Sequence, residues 1–226
     1  MAATSRRGVT THYRTRHLAV AGVGLVILLV CALVASDGTV GSSERHVFRA
    51  VNDLPQWLYK PLWLFQQFGN MFVALSLGVL LAVLLRRRWV AVAVVGAAVL
   101  KLAGERTVKS LVERSRPGTT IGAVHLRGDV PIHGLSFVSG HSVIVTAVAT
   151  LLTPILPGRW KAAPWIVVVL NALARVYVGA HNPLDVLGGF GLGLCIGGLL
   201  NAVVAPAPAA QETARPAATP EAALAL

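Results

Sequence analysis

Long apolar runs separated by short polar stretches dominate the chain. A bilayer hydrocarbon core of about 30 Å takes roughly 20 residues of helix. On that measure six runs qualify as spans: residues 18–36, 62–85, 89–108, 140–157, 162–179 and 184–205. The pattern predicts an all-α fold, a polytopic membrane helical bundle with six transmembrane helices. Between the first two runs, Val47, Phe48, Val51 and Leu54 recur at helical spacing, with Trp57, Tyr59 and Trp63 beyond them. This predicts a short interfacial helix followed by an aromatic belt, an anchor that can also serve as a rim for lipid entry. The first run follows a basic leader and reads as a retained helix, since it exceeds the usual signal-peptide core. Cleavage after the small residues Ala35 and Ser36 is the rival reading. The chain thus divides into a basic N-terminal tail (1–17), a membrane domain (18–205) and an Ala/Pro-rich tail (206–226) whose composition predicts disorder.

Composition narrows the class. Of 226 residues 55% are hydrophobic and only 13% charged, about half the charge of a soluble domain. That excludes an ordinary soluble enzyme. The formal charge of +11 would point to nucleic acid in a soluble protein. Here the excess lies in clusters beside apolar runs, so no nucleic-acid partner is expected: Arg6, Arg7, Arg14 and Arg16, then Arg86–Arg88, then Arg159 and Lys161. Short basic loops mark the cytoplasmic side, and these alternate consistently along six spans. Both termini are then cytoplasmic, and segments 37–61, 109–139 and 180–183 face outward from the cell membrane. Cys31 and Cys195 both lie in apolar runs, which argues against a disulfide.

Chemistry-bearing residues gather at the outward segments. Lys109 and Arg116 stand two helical turns apart, with Pro117 disfavouring helix at Arg116 and turning its guanidinium into the following loop. Two converging cations suit a phosphate. Lys101, Glu105, Lys109 and Glu113 form an i, i+4 ladder in which Lys101 and Glu105 read as a structural ion pair at membrane depth. Ser139, Gly140 and His141 open the fourth run: a cap, a residue permitting close backbone approach, and an imidazole beside a helix N-terminus that attracts anions. Arg175, His181 and Asp185 bridge the last two runs. Asn182 reads as an N-cap and Pro183 as the first helical residue. Asp185 then lies in the first turn, where its carboxylate can reach back to His181 and leave the other imidazole nitrogen free as a nucleophile. Three cations, two histidines and an aspartate on one face make a phosphate pocket with nucleophile and acid.

The ordered set Lys109, Arg116, Pro117; Ser139, Gly140, His141; Arg175, His181, Asp185 resembles the motifs of the type-2 phosphatidic acid phosphatase superfamily, membrane lipid phosphatases related in fold to vanadium haloperoxidases. Val138 stands where that family usually has Pro, and Ala174 where it has Ser, which puts full activity in question. The resemblance implies attack by His181 to form a phosphohistidine, with Asp185 orienting its ring and His141 protonating the leaving oxygen. It further implies phosphate binding by Lys109, Arg116, Ser139, Gly140 and Arg175. No carboxylate cluster offers a two-metal site, so neither metal nor other cofactor is expected. The expected partners are the bilayer and a lipid phosphate, with a polyprenyl diphosphate favoured over phosphatidate or phosphatidylglycerophosphate. A lipid-phosphate transporter or flippase, or an inactive membrane partner, are the readings from other classes. A haloperoxidase is opposed by the six apolar runs.

Overall fold

The computed structural model describes residues 2–206, with side chains from residue 11 onward. The predicted C-terminal tail lies outside the described residues apart from Pro206. Nine α-helices appear among the described residues: α1 (Ala2–Ala35), α2 (Ser42–Asn52), α3 (Tyr59–Gln67), α4 (Met71–Leu84), α5 (Arg88–Val112), α6 (Pro117–Thr120), α7 (Gly140–Leu152), α8 (Ala163–Tyr177) and α9 (Pro183–Val204). The fold is all-α, as the apolar periodicity predicts. The basic leader continues α1 back to Ala2.

Six helical stretches coincide with the six apolar runs, but fewer are long and apolar enough to cross a membrane alone. Residues 11–35 of α1 and all of α9 meet that test. Helices α3 and α4 meet it only together, bent by 58°. Six crossings are not shown by helix length and composition, for physical reasons. Helix α5 carries Lys101, Glu105 and Arg106 within its apolar window. Helix α7, with 13 residues, and α8, with 15, reach only about 20 and 22 Å at 1.5 Å per residue. The fourth run stops at Leu152 because Pro154 and Pro157 cannot continue the helix.

Helix α9 is the hub, packing most extensively on α1 and α7. Its glycines explain why. Gly189, Gly193 and Gly197 recur every four residues and face α7, where an added Cβ would lie 2.9 Å from Ser142 Cβ, 2.6 Å from Thr146 Cβ and 2.6 Å from Thr150 Cβ respectively. Gly191 and Gly198 turn to α1, where a Cβ would come within 2.7 Å of the backbone at Gly24 and Ala21. Without side chains the helices close to backbone contact, the packing that lipid-embedded helices favour. Asn201 Nδ2 fastens α9 to α7 through Thr150 O at 2.9 Å. Large apolar side chains of α1 (Val23, Val26, Leu33) and α4 (Leu80, Val83) point outward, as expected for lipid-facing surfaces.

The short helix predicted between the first two runs forms, as α2, but its apolar face meets protein. Phe48 is buried with Val40, Ile121, Val176 and Val186, while Val47 and Trp57 remain exposed. A polar clamp locks the C-terminus of α2. Asn52 Nδ2 donates to His125 O and Tyr177 O, both at 2.9 Å. Buried Arg127 donates to Asn52 O at 2.8 Å and Tyr177 O at 2.6 Å, its guanidinium 4.0 Å over the Tyr177 ring.

Candidate active site

The three constellations meet at one end of the bundle. His181 lies in the loop between α8 and α9 and is buried to 3% exposure. Its electrostatic neighbours are Arg175, Arg116, Lys109 and Glu105. Those of His141, the second residue of α7, are Arg175, His181 and Lys101. Burial and then the three cations push the His181 imidazole well below its usual range, which favours the uncharged ring. Such a ring is fit to attack.

Local structure places each group. Pro183 begins α9 with Asn182 as an extended N-cap, as the sequence predicts. Asp185 is then in the first turn, where Oδ2 accepts from Asn182 N at 2.8 Å. The same oxygen stands 3.7 Å from His181 Nδ1, longer than a hydrogen bond, and such contacts commonly tighten only when substrate is bound. Ser139 is the N-cap residue of α7, but its hydroxyl makes no cap bond, which corrects the expected cap. Its N–H donates instead to Asp185 O at 2.9 Å, stitching the start of α7 to the start of α9.

Lys109 and Arg116 do not share a helix. Helix α5 ends at Val112, with Glu113 in the left-handed region at φ 41°. Arg116 is extended ahead of Pro117, and its Nη1 reaches Ala180 O at 2.9 Å, beside His181. The break removes Glu113 from the predicted ladder. The remaining members are real: Glu105 binds Lys101 and Lys109, each at 2.6 Å. The Glu105 carboxylate also abuts the Cα of Gly140 at the mouth of α7. Arg175 Nη1 donates to Gln66 Oε1 at 2.6 Å. Gly69, in the break between α3 and α4, lies so near His141 that a Cβ there would sit 2.7 Å from the His141 Cβ.

Several residues unflagged by sequence stand behind the site. Arg114 is fully buried and pairs with Glu44 of α2 at 2.5 Å and with Asp185 at 3.3 Å. Burial alone would lower the Arg114 pKa, but Glu44 and Asp185 outweigh it and raise it. Val138 and Ala174, the two departures from the motif pattern, are both fully buried. Val138 packs on Gly188, and Ala174 lies among Leu62, Tyr177 and Ala180.

The arrangement suits a phosphate. Five cations (Lys101, Lys109, Arg114, Arg116, Arg175) face three carboxylates (Glu44, Glu105, Asp185), an excess of two positive charges that matches a dianion. Arg116 Nε, Arg175 Nε and Ser139 Oγ are buried without a protein partner, donors of the kind phosphoryl oxygens accept from. Among the described residues no three His, Cys, Asp or Glu side chains gather as a metal site.

The model of the PAP2 superfamily matches residues 86–207, more than half of the chain. The protein belongs to the PAP2 superfamily of membrane lipid phosphatases, hydrolases acting on lipid phosphates. It is similar to an undecaprenyl-diphosphatase of Sulfolobus acidocaldarius, 26% identical over 174 residues that cover 75% of this chain and 82% of the relative. It is also similar to a decaprenylphosphoryl-5-phosphoribose phosphatase of Mycobacterium tuberculosis. There the identity is 38% over 98 residues, 42% of this chain and 51% of that relative, about half its length. Two crystal structures share the fold. Aquifex aeolicus LpxE has a TM-score of 0.62 and 24% identity, covering 69% of this chain and 92% of that one. The transmembrane PAP2-type phosphatidylglycerolphosphate phosphatase of Bacillus subtilis has a TM-score of 0.63 and 22% identity, covering 88% and 98%.

Proposed function

We propose that this protein hydrolyses a polyprenyl diphosphate or a closely related polyprenyl-linked phosphate, through a phosphohistidine on His181, at the extracytoplasmic face of the cell membrane. The observation that carries the reading is the buried His181 ring set among Lys109, Arg116 and Arg175 with Asp185 behind it. The preference for a polyprenyl lipid rests on the two relatives, an undecaprenyl-diphosphatase and a decaprenylphosphoryl-5-phosphoribose phosphatase, both named for polyprenyl-linked phosphates.

Asp185 faces Nδ1, so Nε2 of His181 is the attacking nitrogen. As the nitrogen–phosphorus bond forms, the bond from phosphorus to the leaving oxygen breaks, and His141 gives that oxygen a proton. Lys109, Arg116, Arg175, the Ser139 hydroxyl and the first N–H groups of α7 hold the phosphoryl oxygens; such fixed donors are usually the largest catalytic contribution. In the second half His141 takes a proton from water, which displaces His181 and releases phosphate. No step runs through a metal. The lipid tail has a place to lie: an apolar groove of about 370 Å³ between α4, α7 and α8, lined by Phe68, Leu77, Leu81, Val148 and Leu152. Its Phe68 end adjoins Gly69 and hence His141. In this reading α3 and α4 make one broken crossing, and α5, α7 and α8 complete six crossings of a membrane domain spanning 18–205.

Phosphate release from purified protein in detergent, over a panel of polyprenyl diphosphates, phosphatidate and phosphatidylglycerophosphate with excess chelator, tests the proposal. Turnover on the panel that persists with chelator and is fastest on the polyprenyl substrates is expected. His181→Ala should abolish turnover and covalent phosphate trapping. Lipid binding without phosphate release would instead support a transporter.

A further inference from the structure

Behind His181, on the side away from the phosphate-binding cations, lies a buried chain of charges that the reaction above does not use. Glu44, in the first turn of α2, turns inward while Arg45 and His46 beside it are exposed. It holds Arg114 through two hydrogen bonds, Nη1 to Oε1 at 3.0 Å and Nη2 to Oε2 at 2.5 Å. Arg114 Nη2 also donates to Thr39 O at 2.7 Å, and Nη1 reaches Asp185 Oδ1 at 3.3 Å. Leu184 N donates to Glu44 Oε1 at 2.9 Å, so the same carboxylate caps the start of α9. The two oxygens of Asp185 are thereby divided. Oδ1 is taken by Arg114, and Oδ2, held by Asn182 N, is the one that faces His181.

We propose that Arg114 and Glu44 are positioning residues for the catalytic dyad, acting through Asp185 to set the orientation and tautomer of His181, and that docking of α2 is therefore a condition of turnover. The inference rests on the role of His181 proposed above. A buried ion pair is seldom the cheapest way to stability, because apolar residues of similar volume often do as well. Its geometric specificity is a different matter. A carboxylate held at both oxygens cannot rotate away from Nδ1. Glu44 shares the Arg114 guanidinium with Asp185 and carries the constraint to α2, some 70 residues away in the chain.

Steady-state kinetics on the full-length protein in detergent, with phosphatidate in mixed micelles as the probe, provide the test. Arg114→Gln should lower kcat about tenfold to a hundredfold, with KM changed by less than about twofold. Glu44→Gln should lower it less, and Arg114→Lys should recover part of the loss. In an Asp185→Asn background Arg114→Gln should cost almost nothing further, since the two act as one unit. Unchanged kcat in both Arg114→Gln and Glu44→Gln would overturn the proposal. So would full additivity with Asp185→Asn, or a fall in melting temperature that accounts for the whole loss and is not relieved in Arg114→Lys. If Arg114→Gln does not fold, Glu44→Gln and Arg114→Lys decide the matter, wild-type kcat in both counting against it. His181→Ala, run alongside, separates the two readings. Turnover there removes the phosphohistidine itself, whereas an inert His181→Ala beside fully active Arg114 and Glu44 variants removes only the positioning chain.

Discussion

The two imidazoles divide the work, and the leaving group exposes the division. A diphosphate substrate expels a phosphate, a better leaving group than the alkoxide of phosphatidate, so it depends less on the proton from His141. His141→Ala should therefore slow phosphatidate hydrolysis at least about tenfold more than diphosphate hydrolysis, within the range typical of general acid catalysis. Parallel kcat/KM measurements on the two substrates check this, and equal losses would contradict the assigned role. His181 makes a second prediction, with a definite sign. Its pKa lies well below 6.5 because of burial and the adjacent Arg175, Arg116 and Lys109. Protonation, which would silence the nucleophile, therefore sets in only well below pH 6.5. A pH–rate profile with full activity at pH 6.5 is expected; an acid limb centred at or above that value would contradict the neutral ring. The motif residues of the site were legible in sequence because fixed spacings tie them to helix ends. Arg114 and Glu44 were not: one looks like another loop arginine, the other sits in a segment whose apolar spacing drew attention to Phe48. Nor does the i, i+4 spacing that pairs Glu105 with lysines reveal that the end of α5 lies against the start of α7.

Helices were easier to read than their limits. Existence and order follow from the apolar runs, but the break between α3 and α4 depends on Asn70, whose side chain accepts from Phe72 N at 2.9 Å and starts the second helix. Hydropathy is blind to such a cap. The early end of α5 at Glu113 likewise owes more to the backbone turn carrying Arg116 toward Ala180 than to composition. What composition does show is the glycine content of α9, and that makes a prediction at this scale. The α7–α9 contact fixes Ser139 and His141 relative to Asp185, so widening it should harm both stability and turnover. Gly193→Leu forces a side chain where even a Cβ meets Thr146 at 2.6 Å. A loss of about 1–3 kcal/mol is expected from such overpacking. Gly22→Ala is the control: a Cβ there meets nothing within 4 Å, and alanine is the better helix former by up to about 1 kcal/mol. Thermal unfolding in detergent should show a lower midpoint for the first and an unchanged or higher one for the second. Equal midpoints would mean that the glycine face of α9 does not set the spacing.

For the whole molecule, the two ends differ in chemistry as well as position. Arg86 and Arg88 flank the α4–α5 turn, and a cavity lined by Arg16, Thr153 and Lys161 joins the middle of α1 to the α7–α8 turn. These basic groups lie opposite the end that holds α2, the loop from Ile121 to Ser139 and His181. Charge bias of this kind sets orientation during insertion, cationic loops staying on the cytoplasmic side. If that rule governs here, His133 and Arg159, both exposed, face opposite sides. Single cysteines at these positions, with Cys31 and Cys195 replaced, separate the possibilities. A membrane-impermeant maleimide on intact cells should label His133→Cys directly and Arg159→Cys only after permeabilisation. The reverse pattern would put the pocket on the cytoplasmic face, and labelling of both from outside would deny that helices between them cross the bilayer. The expected result has a functional corollary: with the phosphate pocket outward and the apolar groove open to the membrane between α4, α7 and α8, a lipid can be hydrolysed without its tail leaving the bilayer. Sealed right-side-out vesicles should then release phosphate from outer-leaflet substrate into the external medium, without detergent.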